Sequence, residues 1–450
     1  MLNEELIELA EYAKKLLLKK KATDVVISLV ENHNDEIKFV NNEPVKTGSD
    51  ITTLLSFFAV FDKKIVMTSA KELSKQKIKQ TVNNLEKFAS QILPKPDYFG
   101  IAEGPFKYKK IPNLFDKNFL NLSGERQLEY VEAAINAALS QGATKASGIL
   151  NLNYNDCYLT TSRSVTARSK RSIIYFSIRA LLDKDASGHE TVAARMLKDF
   201  DAVKAGITAG ELARLSKNPQ LGKAGKYDVI FAPLAFAPLL SCIGNACSIF
   251  DVEAGLSFFA NKINKRVANP CVTIIDAGNL PGGIGATEFD SEGVPSQRNI
   301  LIDKGILKTF LYNASFARKY KTKTTANAGL ISPSPWFVLL KPGELSKEEL
   351  IAEVKNGLYI SNTWYTRFQN YSTGDFSTIP RDSMFIVKNG KLDKPVKGLR
   401  VSENMLHILQ NISALANDAK QVYSWELASN SPVMLPHVLV KDLNVTRPTA

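Results

Sequence analysis

Histidine and cysteine are scarce in this chain, with four of each among 450 residues. Four cysteines (Cys157, Cys242, Cys247, Cys271) are too few for a disulfide framework and suit a reducing, cytoplasmic compartment. The histidines (His33, His189, His407, His437) lie far apart. His189-Glu190 starts like a zinc-binding helix, but position 193 is Ala. Two imidazoles must sit one turn apart to share a metal, so a polar loop residue is expected there. Long apolar runs are missing as well. The longest, Val229 to Leu240, is twelve residues and contains Pro233 and Pro238, whereas a spanning helix needs about 18 or more. No membrane segment is expected, and Met1-Leu2-Asn3-Glu4-Glu5 has neither the basic nor the apolar region of a secretory signal. A phosphate-binding Gly-Lys-Ser/Thr and a Gly-x-Ser-x-Gly elbow are both absent. Gly282-Gly283-Ile284-Gly285 has no later glycine at dinucleotide spacing and reads as a loop.

What is present is an ordinary globular composition, 44% hydrophobic and 23% charged, with 57 Lys and Arg against 45 Asp and Glu, hence a net charge of +12. The basic residues are scattered in short groups such as Lys14-Lys15, Lys63-Lys64 and Lys109-Lys110. That pattern favours a solvated lysine-rich surface over a nucleic-acid footprint. Asn3, Ser74 and Ser123 each precede an apolar stripe at helical spacing, and a further helix fills Ala202 to Lys217. Between them lie strand-like runs at Val25–Val30, Ile37–Val40, Ile51–Phe61 and Ile65–Thr68, then Gly148–Leu152, Cys157–Thr161 and Ser172–Leu181. The order helix, strands, helix thus occurs twice, in residues 1–95 and 123–220, joined by a Pro-, Lys- and aromatic-rich segment at 96–122. Residues 225–450 are dominated by strands and turns, with helices expected only at Leu234–Ile249, Ser346–Asn356 and Glu403–Ala416. The fold class is α+β, with a mainly antiparallel, partly closed barrel-like C-terminal domain.

Residues able to carry chemistry are few. Cys242 and Cys247 are five apart on an apolar helix, about 140° out of phase, and read as small buried hydrophobes. Two polar clusters stand out. One is Thr287-Glu288-Phe289-Asp290-Ser291-Glu292-Gly293-Val294-Pro295; the other is Tyr371-Ser372-Thr373-Gly374-Asp375-Phe376-Ser377. Tight turns capped by their own Asp and Ser side chains are one reading. Paired carboxylates for acid–base work or metal binding are the other.

These clusters, in this order, resemble the TldD/PmbA family, also called the modulator of DNA gyrase family. The matching stretches are Gly225-Lys226-Tyr227-Asp228-Val229-Ile230, Phe289-Asp290-Ser291-Glu292-Gly293-Val294 and Leu301-Ile302-Asp303-Lys304-Gly305-Ile306-Leu307. Ala317-Arg318-Lys319, Thr373-Gly374-Asp375-Phe376-Ser377 and Asn389-Gly390-Lys391 with Pro395-Val396 follow. TldD-like members look like zinc peptidases with a His-Glu-x-x-x-His helix and a later cysteine ligand. The resemblance puts Ser241 and Ala246 at the two histidine positions, Cys242 at the general-base glutamate, and the third ligand near Asn430. Alanine cannot bind zinc and serine is a poor ligand beside histidine. The chain therefore resembles the PmbA (TldE) side of the family, the subunit without metal. The resemblance implies no cofactor in this chain, zinc in a TldD-like partner, and peptide substrates in a shared cavity. Phe289, Asp290, Glu292, Thr373, Gly374, Asp375 and Phe376 are candidates for cavity or interface. A homo-oligomeric binding protein, possibly a homodimer associated with nucleic acid, is the alternative.

Overall fold

A computed structural model describes residues 1–427 and 431–447. The N-terminal half contains helices α1 (Glu4–Lys19), α2 (Lys75–Gln91), α3 (Gly124–Ser140) and α4 (Ala202–Leu215). Its strands are β1 (Asp24–Val40), β2 (Glu43–Phe61), β3 (Lys64–Ala70), β4 (Lys145–Thr161), β5 (Thr166–Leu181) and β6 (Ser187–Ala194). The expected caps form: the side chains of Asn3, Ser74 and Ser123 accept the backbone N–H groups of Leu6, Lys77 and Arg126. Each satisfies a first-turn donor that has no partner inside its helix, worth about 1 kcal/mol. The stripe Leu9, Ala10, Ala13 and Leu17 of α1 packs with Ile78, Val82 and Leu85 of α2 on Val25, Ile27 and Leu29 of β1. In the same way α3 and α4 cover Phe39, Leu150, Ile174 and Phe176.

All six strands form one antiparallel sheet in the order β3-β2-β1-β4-β5-β6. The two blocks are joined by the β1–β4 pairing, where Val26 faces Thr161 and Phe39 faces Gly148. Gly148 permits that approach, since a Cβ there would lie 2.0 Å from the Ser177 carbonyl oxygen and 2.6 Å from the Phe39 ring. The strands run longer than their apolar patterns. Polar Glu31 to Glu36 splits β1 in the sequence, yet this stretch pairs on both sides, with β2 and with β4. Double pairing satisfies the backbone whatever the side chains are.

His189 departs from the loop expected for it. It lies buried on β6, with Nε2 2.9 Å from Ser177 Oγ and Nδ1 2.9 Å from Asn362 Nδ2. Burial pushes its pKa down to about 4, so the ring is neutral at pH 7. The strand went unseen because its polar residues meet polar partners on the C-terminal half rather than water.

In the C-terminal half a barrel closes through β8 (Gly225–Phe231), β20 (Val438–Thr446), β16 (Arg400–Asn404), β14 (Asp375–Lys388) and β13 (Asn356–Asn370). β13 and β8 run parallel; the other barrel neighbours are antiparallel. β15 (Lys391–Lys397) and β7 (Gln220–Leu221) extend the sheet from β14, and β17 (Ile412–Leu415) adds to β20. A second sheet has the order β11 (Ile306–Leu307), β10 (Arg298–Asp303), β9 (Ile274–Ala277), β12 (Val338–Leu340), β19 (Val433–Leu435) and β18 (Lys420–Val422). Helix α5 (Pro233–Asn245) lies in the core with residues of both sheets. The short helices are α6 (Ile249–Glu253), α7 (Ala314–Lys319), α8 (Lys347–Ala352) and α9 (Met405–Asn411). The helix expected over Glu403–Ala416 is cut to α9, because Ile412 onward pairs with Val440, Leu439 and Val438. Thr309–Tyr312 makes one isolated bridge, between Leu311 and Ser248, rather than a strand. Among the described residues no helix is long and apolar enough to cross a membrane.

Candidate functional site

Two places bring the expected residues together, and the first is the C-terminal end of α5. This helix starts with Pro233, where the missing N–H costs nothing. Its last turn ends with the Ala246 N–H bonded to the Cys242 carbonyl. Ser241 and Ala246 are buried. Cys242, Asn245 and Ala246 border a pocket of about 220 Å³ whose other walls include Asp251, Phe258, Phe368 and Tyr371. The Phe368 and Tyr371 rings stack at 4.8 Å, and Phe258 lies 6.4 Å from Phe368. Burial, aided by the charge of Glu426, pushes the Cys242 thiol up to about 12. Cys247 is fully buried and donates to the Ile243 carbonyl, as the helical phase requires.

These groups do not fit a zinc ion. Ala246 has no donor atom, and Cys242 alone is one ligand where a zinc site needs three or four. Asn430, the third expected position, lies outside the described residues. Among the described residues no three His, Cys, Asp or Glu side chains are grouped to hold a metal.

The second place is a cleft of about 670 Å³ between the bare face of the N-terminal sheet and loops of the C-terminal half. Ser28, Ser56 and Ser169 line the sheet side; Phe289, Asp290 and Trp336 line the other. The Asp290 carboxylate is fully buried and accepts the N–H groups of Glu292 and Val294, each at 2.9 Å, and of Ala328 at 3.0 Å. Glu292 accepts those of Ala102 at 3.3 Å and Ala314 at 3.2 Å. Burial raises Asp290 to about 7; burial and the neighbouring Asp290 charge raise Glu292 to about 8. The pair therefore ties the connecting segment, the start of α7 and the 328 loop to one turn. Gly293 completes it with φ +80°, where a Cβ would lie 2.3 Å from Val165.

Thr373, Gly374, Asp375 and Phe376 fall elsewhere, at the β13–β14 hairpin. Asp375 accepts from the Thr373 hydroxyl and the Asn404 amide, which hold it below the usual carboxylate range. Gly374 adopts φ +85° and Phe376 is buried core. The turn reading describes these four. Their hairpin also carries Phe368 and Tyr371 to the α5 pocket, so the structure joins the hairpin with α5 and leaves the Asp290 turn in the other cleft.

One polar group that the sequence reading passed over is Asp276, which is fully buried. It accepts the N–H groups of Trp336 and Phe337 at 2.9 Å and the Asn327 amide at 2.6 Å, fixing the loop that carries Trp336. Its signal was an acid ending the apolar run Val272-Thr273-Ile274-Ile275. Arg171 and Arg195, on the sheet side, had no comparable signal among scattered basic residues.

Residues 224–447 match the family model described as PmbA/TldA metallopeptidase C-terminal domain. The chain belongs to the PmbA/TldD family. It is 26% identical over 432 residues to the metalloprotease PmbA homolog of Haemophilus influenzae, covering 92% of each chain. It is 30% identical over 204 residues to a metalloprotease of Methanocaldococcus jannaschii, covering 43% of this chain. The aligned part spans 44%, less than half, of that relative's own length. Among solved structures, TldE from Thermococcus kodakarensis superposes with a TM-score of 0.86 at 19% identity, over 98% of this chain and 99% of that one. The likeness establishes a shared fold.

Proposed function

We propose that this chain is the zinc-free, TldE-like subunit of a cytoplasmic TldD/TldE-type peptidase. In this reading a TldD-like partner brings zinc and the general base, while this chain supplies cavity wall and peptide-binding surface. The observation that carries the reading is the end of α5. At the positions the family resemblance assigns to ligand and base, the chain has a methyl group at Ala246 and a protonated thiol at Cys242 facing stacked aromatic rings. Neither Ala246 nor the Cys242 thiol can polarise a carbonyl or activate water as a zinc ion would. The pocket instead has the apolar walls and few polar groups of a side-chain subsite.

The test is peptidase activity on an unfolded polypeptide, measured for this chain alone, a TldD-like chain alone, and both together. The reading expects cleavage that needs the TldD-like chain and is enhanced by this one. Chelator-sensitive cleavage by this chain alone, lost in Ser241→Ala, would overturn it.

A further inference from the structure

The face of β5 turned away from α3 and α4 carries Ser169, Arg171, Ile173 and Tyr175 in strand alternation. Arg171 borders the 670 Å³ cleft and also a second cavity of about 470 Å³; Trp336 borders both as well. Among the described residues the Arg171 guanidinium makes no hydrogen bond and no ion pair, and its Nε is buried without a partner. An arginine fork has five donors, and leaving them unpaired at a partly dry site is costly.

Arg195 lies in the wall of the second cavity. It is 6% exposed and donates to the carbonyls of Ser172, Gly283, Ile284 and Ala286. Those bonds satisfy four of its five N–H donors but do not cancel its charge, because among the described residues no carboxylate forms an ion pair with it. Burial, aided by the charge of Arg171, pulls its pKa down to about 9. Glu288 is an acid that feels the charge of Arg171. It forms no ion pair with that arginine, and its own pKa is raised by burial. Among the described residues, two guanidinium groups thus stand in one cavity wall, Arg195 buried and Arg171 half-buried, with no carboxylate in an ion pair with either.

We propose that the wall common to the two cavities is a carboxylate-binding site, at which Arg171 pairs with a carboxylate of a bound peptide and Arg195 supports it with a fixed positive charge. Arginine suits this task because its planar fork meets a carboxylate through two parallel hydrogen bonds. The peptide identity rests on the function proposed above; the anion requirement does not. Asn151, Asn153 and Ser334 line the second cavity with neutral donors and acceptors, which suits amide groups next to the carboxylate. The carboxylate comes from the peptide C-terminus or from an Asp or Glu side chain.

Calorimetric titration of the full chain with three capped hexapeptides tests this: one with a free C-terminus, its C-terminal amide, and that amide with one internal Glu. A charge-assisted fork predicts that at least one acidic peptide binds about tenfold or more tighter than the neutral amide. The preference is expected to vanish in Arg171→Gln and to survive in part in Arg171→Lys. Tighter binding of the free acid assigns the C-terminus, and tighter binding of the Glu peptide assigns the side chain. Equal affinity for all three peptides, no binding of any, or a preference unchanged in Arg171→Gln would overturn the site. Inorganic phosphate binding as tightly as the acidic peptide would overturn the peptide assignment. None of these readouts depends on whether the chain cleaves peptides, so failure here is distinct from failure of the zinc-free subunit reading.

Discussion

Replacing Asp290 by Asn and Glu292 by Gln removes two buried titrating groups. Gln keeps the one oxygen that accepts from Ala102 and Ala314, whereas Asn keeps one of the two oxygens by which Asp290 holds its own turn and Ala328. Unfolded, these carboxyls titrate near about 4. In the folded chain burial raises Asp290 to about 7, and burial with the Asp290 charge raises Glu292 to about 8. Between those limits the native state holds protons that the unfolded state has released. Stability contributed by the pair is therefore full below pH 4 and falls as pH rises through the native values. Each retained proton gives a slope of about 1.4 kcal/mol per pH unit. Because the two charges repel, one shared proton is the minimum, which amounts to roughly 3 kcal/mol between pH 5 and 7. Urea unfolding of the wild type and the double variant at pH 5, 6 and 7 measures it. Other groups titrate in both proteins, so the quantity to follow is the difference between the curves. The wild type is expected to lose stability relative to the double variant over this range. Parallel pH profiles would refute the assignment of a retained proton to this turn.

Asp276→Ala leaves two backbone N–H groups and the Asn327 amide without their acceptor in a fully buried place. At about 1–3 kcal/mol for each unmet donor, a loss of about 3 kcal/mol or more is expected by urea unfolding, with Asp276→Asn milder. Gly374→Ala forces a side chain into φ +85° and within 3.3 Å of Phe258 and Met405. That should cost about 1–3 kcal/mol and lower the thermal midpoint. Burial raises all four thiols, but Cys271 is the exposed one, whereas Cys157 and Cys242 are half-buried and Cys247 is buried. A thiol reagent at pH 8 should therefore label Cys271 well before the other three, and a fast reaction at Cys242 would contradict the protonated thiol placed at the α5 pocket.

Local chemistry was legible where it acts over one turn. Asn3, Ser74 and Ser123 sit where their helices begin, and Ser346 closes a capping box with Glu349 at the start of α8. The strand-rich C-terminal domain was also readable from its spacing of apolar runs and turns. Strand length was not, because β1 continues through Glu31–Glu36 by virtue of partners more than 100 residues away in β4. The end of Glu403–Ala416 was hidden by strand pairing too: Ile412 pairs with Val440. Family motifs located the α5 end and the Asp290 turn. They could not show that Asp290 and Glu292 bind backbone rather than ligand, since that depends on Ala102, Ala314 and Ala328 arriving from other segments. Arg171 and Arg195 carry no motif; their meaning comes from what surrounds them.

The most direct test of the central claim is the zinc content of this chain purified alone, without added metal or a histidine tag. A buried methyl at Ala246, with Cys242 the single thiol bordering that pocket, predicts zinc near zero. About one tightly held zinc per chain, as a four-coordinate site would retain, would contradict the account and send attention to Cys242, Cys247, Cys271 and His437.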